Sequence, residues 1–202
     1  MRSLHTLSGL LLVIATTVAA GQAPALPKDL YPETGNRFPA IKRDAVPDSF
    51  GPGPIRLYSP PVAQSMTAVN DYLRRKAGLE PRLVELAILV TAREMDCAYV
   101  WTAHEPAAQK AGLQQSIIDT VKYRRPLTSL GDKEAVIVQL GRDSIGKHKV
   151  GADTFASAVK LFGNEGVVNI VSLIGDYAAT TILLNVADQH VRPKDKSLLP
   201  IP

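Results

Sequence analysis

The chain reads as an all-α protein, and three observations predict it. From position 61 onward apolar residues recur at three- and four-residue spacing, the period of a helix with one buried face. The segments carrying that period are bounded by Pro and Gly, which end helices more readily than they sit inside them. No stretch alternates apolar and polar residues over the length of a strand. The composition agrees: 46% of the 202 residues are hydrophobic and only 5% aromatic, an aliphatic-rich balance.

Val62, Met66, Val69 and Leu73 predict a first helix that runs from Pro61 towards Gly78, with the proline in the first turn, where its missing N–H costs nothing. Pro81 opens a second, carrying Leu83, Leu86, Ala87 and Val90. A third runs from about Cys97 to Lys110 and stops at Gly112, a residue suited to a helix C-terminus. Gln114 to Tyr123 is a fourth, closed by Pro126. Asp132 and Asp153 are candidate N-caps of a fifth and a sixth, the latter ending at Gly163. The last is expected from about Glu165 to Val191, almost continuously apolar between Val167 and Val186, and so buried on several sides by its own domain and a partner subunit. Asn169, Ser172, Gly175, Asp176, Asn185 and Asp188 interrupt it too often for a helix immersed in lipid.

Ahead of these helices the chain has a different character. Arg2 and His5 precede an apolar run from Leu7 to Val18, and Val18-Ala19-Ala20 offers a small-residue cleavage site before Gly21. Residues 1–20 therefore read as a secretory signal peptide, too short to span a bilayer, and predict a periplasmic or secreted protein without stable membrane insertion after cleavage. Residues 21–60 hold eight of the 15 prolines. They read as an extended arm laid across a neighbouring subunit, or else as a leader without fixed structure. The helical domain is then 61–191 and the tail 192–202.

The net charge of +4 comes without a dense Lys/Arg run, which argues against a nucleic-acid partner. There is no Gly-rich phosphate loop, and no His or Cys pair at helical metal-ligand spacing, so neither a cofactor nor a metal is expected. Cys97 is the only cysteine, which rules out a disulfide within the chain.

Chemistry-bearing residues concentrate in one stretch. Glu85 lies inside an apolar helix, Cys97 follows after eleven intervening residues, and His104 after six more. Glu85 shares a face with Ile88, Leu89 and Ala92, so it points inward or to a groove edge, or else forms an ordinary ion pair with Arg82 or Arg93. Cys97 falls at a helix start, where the dipole favours a thiolate, while Asp96, a candidate cap, opposes one; a buried, inert thiol is the alternative. Seven residues bring Cys97 and His104 to one face but about 10 Å apart along the axis, too far for a direct hydrogen bond. Val100 occupies the place one turn before His104.

The pattern Glu-x11-Cys-x6-His, with Gly175-Asp176-Tyr177 on the last helix, resembles the carboxymuconolactone decarboxylase-like family, which includes the alkylhydroperoxidase D-type enzymes. The resemblance covers residues 60–190. It implies an oligomeric helical domain of about six to seven helices, a trimer or hexamer, with a pocket near the subunit contacts. In redox-active members the cysteine begins a Cys-x-x-Cys pair; here the second position is Val100. The resemblance assigns Glu85, Cys97 and His104 to catalysis, with Tyr99 where those relays carry a histidine. Val100, Trp101, Asp176 and Tyr177 are assigned to the pocket, and Trp101 is also expected to pack on a neighbouring helix or subunit. Asp176 is a candidate to hold His104 in one tautomer. The family reading is then a thiol-dependent, peroxidase-like antioxidant that uses Cys97 with a Glu85/His104 relay, a peroxide substrate and an external thiol reductant. A cysteine-independent lyase or isomerase acting on a small carboxylic acid or lactone is the alternative, and a non-catalytic oligomeric binding protein is a third.

Overall fold

Eleven consecutive residues, Leu83 to Arg93, are all buried. A helix apolar on every side must be enclosed by others, and this one is the axis of the domain. The computed structural model describes residues 27–41 and 49–199. Within them the helices are α1 (Pro52–Arg56), α2 (Pro60–Arg75), α3 (Pro81–Glu94), α4 (Ala98–Lys110), α5 (Gln115–Lys122), α6 (Asp132–Gly141) and α7 (Ala152–Val186), with a π-helical turn at Arg142–Gly146. The described residues contain no strand beyond an isolated antiparallel bridge between Tyr31 and Asn36. The chain is all-α. Helices α4, α5, α6 and α7 pack around α3, and α2 lies on α7.

Proline punctuation works as expected: α1, α2 and α3 each begin with a proline in the first turn. The expected caps differ. Gly131 and Gly151, not Asp132 and Asp153, occupy the N-cap positions of α6 and α7. Both aspartates sit in the first turn, where a negative charge complements the dipole without a cap bond. The sixth and last expected helices form one element, α7, which breaks at Gly163 (φ 68°, ψ 173°). Only a residue without Cβ adopts that geometry at little cost, so the glycine read as a stop is a kink instead. By length and composition α7 could cross a membrane, but α2, α3 and α6 cover one side of it.

Helix α7 ends at Val186 rather than near Val191, and the reason lies in the arm. Residues 27–41 fold back onto this helix end: the Arg37 amide donates to the Ala187 carbonyl at 2.8 Å and the His190 amide to the Gly35 carbonyl at 2.9 Å. The Gln189 side chain accepts from Asn36 Nδ2 at 2.8 Å and from the Gly51 amide at 3.0 Å. The described part of the arm is thus neither extended nor unstructured; it packs on its own chain. Part of the Pro-rich region also forms α1, anchored by buried Ile55. The tail is tied down as well, with Leu199 buried. The signal-peptide reading of residues 1–20 lies outside the described residues.

Candidate active site

Helices α3 and α4 present Glu85 and His104 to each other. His104 Nδ1 lies 2.7 Å from Glu85 Oε2, and the other carboxylate oxygen, Oε1, accepts from Arg74 Nη2 of α2 at 3.0 Å. Glu85 is 7% exposed. Burial pushes its pKa up, but the His104 and Arg74 contacts outweigh burial and hold it below the ordinary carboxylate value. An ionised Glu85 accepts a hydrogen bond from Nδ1–H, so the imidazole is held in the tautomer that leaves Nε2 as its basic nitrogen. Tyr177 of α7 meets the ring edge-on, with centroids 5.2 Å apart. Burial raises the Tyr177 pKa, with Glu85 and Asp176 adding to the rise against Arg74 and Asn70, and this keeps the phenol neutral.

His104 lines a cavity of about 300 Å³ between α1, α2, α4 and α7. Val100, Tyr177, Asn70, Arg74 and Arg56 share its wall, and no acidic side chain does. A hydrophobic surface broken by a few fixed polar groups is the usual make-up of a small-molecule site.

Cys97 faces elsewhere. It is the N-cap of α4 and lines a separate cavity of about 490 Å³, formed with Asp96, Asn185, Asp188 and His190. The thiol is 3% exposed. Burial raises its pKa, against smaller help from the Val100 backbone, the Thr181 hydroxyl and the Tyr99 backbone. The Thr181 hydroxyl sits beside the sulfur without a well-formed hydrogen bond of its own. Tyr99 lines both cavities and stands between them. Its ring packs on Gly51 (φ 90°), where an added Cβ would fall 2.5 Å from the phenol oxygen.

Residues 60–139 match the Carboxymuconolactone decarboxylase family. The fold is similar to that of a protein of unknown function from Agrobacterium tumefaciens, described as a candidate antioxidant defence protein AhpD. The TM-score is 0.60 and the identity 19%, over 73% of this chain and 97% of that one. No curated protein matches the sequence. The matched segment carries Glu85, Cys97 and His104, so this part of the helical domain is similar to the carboxymuconolactone decarboxylase family, and the fold is similar to an AhpD-like one.

Four expectations for this site need correction. Asp176 does not hold His104; that partner is Glu85. Asp176 Oδ2 instead accepts from Asn70 Nδ2 at 2.7 Å, and its buried Oδ1 has no partner among the described residues. Trp101 is fully buried and lines neither cavity. Its Nε1 donates to Glu105 at 2.5 Å, and Lys122 both pairs with Glu105 at 2.9 Å and lies over the indole ring, so this cluster joins α4 to α5. Asp96 does not cap α4 either. It sits at φ 49° and pairs with Arg93. Glu85 pairs with Arg74, and not with Arg82 or Arg93. Arg74, Asn70 and Arg56 had no signal in the linear sequence. The first two look like surface residues of an amphipathic helix, and the third lies within a Pro-rich segment.

Proposed function

We propose that the protein is a cysteine-independent proton-transfer enzyme, a lyase or isomerase acting on a small carboxylic acid or lactone. One observation carries this reading: the 2.7 Å Glu85–His104 contact lies at a cavity of its own, while Cys97 lines another. In this reading His104 Nε2 takes a proton from a carbon made acidic by a neighbouring carbonyl. Glu85 stabilises the imidazolium that results, and Arg74, held by Glu85, offsets negative charge developing on the carbonyl oxygen. Return of the proton to a different carbon completes an isomerisation. In a decarboxylation CO2 leaves, the carbon keeps the electron pair of the broken C–C bond, and it takes a proton from His104 that Nε2 has first acquired from solvent. Tyr177 on the ring edge restrains the imidazole.

The test is solvent exchange. Small lactones and keto acids would be incubated with the mature protein in D2O and followed by NMR. Deuterium incorporation that falls roughly 10²–10⁴-fold in His104→Ala supports the reading. Incorporation that is insensitive to His104 refutes it.

A thiol-dependent peroxidase is the second reading. It is favoured by the larger cavity at Cys97 and by the helix start that carries the thiol. Cys97 would displace water or an alcohol from a peroxide as it becomes a sulfenate, and two external thiols would reduce it, since the chain has no second cysteine. Peroxide consumption lost in Cys97→Ser would favour it. The Agrobacterium neighbour lends the fold to this reading, not the reaction.

We also propose export, through cleavage before Gly21, which the mass of the mature protein would check. A trimer or hexamer is proposed as well. It is supported by Val168, Val171, Ile182 and Val186, apolar residues left exposed on α7, and a monomer by light scattering would contradict it.

A further inference from the structure

We infer that Arg56 is the anion-binding residue of the His104 cavity and that the ligand reaching His104 carries a carboxylate held by it. The inference rests on the proposed role of that cavity as the substrate site. Two guanidinium groups line the cavity. Arg74 already pairs with Glu85 at 3.0 Å, so its charge is shared before any ligand arrives. Arg56 has no carboxylate within ion-pair distance among the described residues, and no acidic side chain lines the cavity to compensate it. A half-buried guanidinium facing a cavity without a counter-ion is a site waiting for an anion, because part of its hydration has been given up without replacement.

The group is also aimed in advance. Thr180 Oγ1 donates to the Asp176 carbonyl at 2.9 Å, which leaves the oxygen's lone pairs free to accept from Arg56 Nη2 at 2.5 Å. One edge of the guanidinium is therefore fixed to α7 by a threonine that itself cannot turn, and its remaining N–H donors are left for a ligand. The base of the site is fixed too. Ile55 buries the neighbouring position of α1, and the turn that leads into α1 at Gly51 rests on the Tyr99 ring. Arg56 is presented from outside residues 60–139, the segment that matches the family. It would thus add a ligand preference that belongs to this chain's own N-terminal region. A planar fork of N–H groups matches a carboxylate in a way that a neutral lactone or a peroxide does not.

The experiment measures binding directly, so it does not depend on turnover. The probes are 4-fluorobenzoate and its neutral counterpart 4-fluorobenzamide, each titrated against the full mature protein by fluorine NMR. The wild type should prefer the acid by roughly 10–100-fold, the range for a charge-assisted contact. Arg56→Gln should abolish that preference while amide binding stays within about twofold. Thr180→Val retains the charge but releases the guanidinium, and should lower the preference part-way; it also serves if the first variant does not fold. His104→Ala should retain the preference. Equal binding of acid and amide by the wild type, or a preference that survives Arg56→Gln, would overturn the assignment. Loss of the preference in His104→Ala but not in Arg56→Gln would overturn it equally, by giving the anion to the imidazole. The solvent-exchange measurement on His104 is independent of these outcomes. A failure there with the acid preference intact removes the proposed chemistry and leaves the anion site standing.

Discussion

The two cavities flanking Tyr99 differ in what they do to the reactive group at their wall. On one side, His104 has its Nδ1 fixed by an ionised carboxylate, an aromatic edge against its ring and two guanidinium groups nearby. On the other, Cys97 has more space beside it but a buried sulfur whose pKa is raised, with Asp96 and Asp188 in the same wall. A base is made effective by a partner that fixes its tautomer and stabilises its charged form. A thiol is made effective by groups that favour the thiolate. Only the first set of conditions is assembled here. The proposed reading therefore follows the arrangement of charge and not the size of the cavity.

The contrast can be broken most forcefully at His104. His104→Ala should reduce solvent exchange roughly 10²–10⁴-fold and lower the melting temperature only in part, since Glu85 loses one hydrogen bond but keeps its pair with Arg74. Measured rates that fall in Cys97→Ser by the same factor would show that the two cavities act together.

Buried polarity is not itself a sign of catalysis, and Glu105 sharpens the point. Glu105→Ala leaves Lys122, 9% exposed, without its counter-ion beside Trp101 and should cost about 3–5 kcal/mol of stability by chemical denaturation. The exchange rate per folded molecule should be unaffected.

Glu85→Gln separates tautomer control from packing. The amide cannot accept from Nδ1–H as the carboxylate does and can present its own N–H instead, so the rate should fall roughly tenfold or more. The pH dependence has a defined sign. The folded pKa of Glu85 lies below its unfolded value, so its contribution to stability is complete above about pH 4.3 and is lost as pH falls through the folded value. Thermal melts on acidification below that pH should therefore show a steeper loss for the wild type than for Glu85→Gln. Equal slopes would mean that His104 and Arg74 do not hold the ionised carboxylate.

What was legible in the sequence followed from local rules. Proline in the first helical turn fixed where α2 and α3 begin, and Glu85 with His104 at family spacing marked a pair that the packing brings into contact. The sequence could not show which carboxylate reaches His104. Asp176 and Glu85 sit on different helices, and only the packing of α3 against α4 decides between them. Gly163 was misread for a related reason: left-handed glycine ends one helix and kinks another, and the difference lies in whether the chain beyond has a surface to continue along. Arg56 was invisible because prolines on both sides, Pro52, Pro54 and Pro60, suggested an irregular arm. The resemblance assigned Trp101 to the pocket, but a helix turns 100° per residue, and one step past Val100 points the side chain into the core.

The separation of thiol from imidazole is tested most directly by alkylation of Cys97 with iodoacetamide as a function of pH, in the wild type and in His104→Ala. A raised thiol pKa in a cavity that His104 does not line predicts slow reaction at pH 7, acceleration only above about pH 8.5, and the same profile in both proteins. Rapid alkylation of the wild type at pH 6 that is lost in His104→Ala would contradict the account, since it would connect the two groups through Tyr99 or a water.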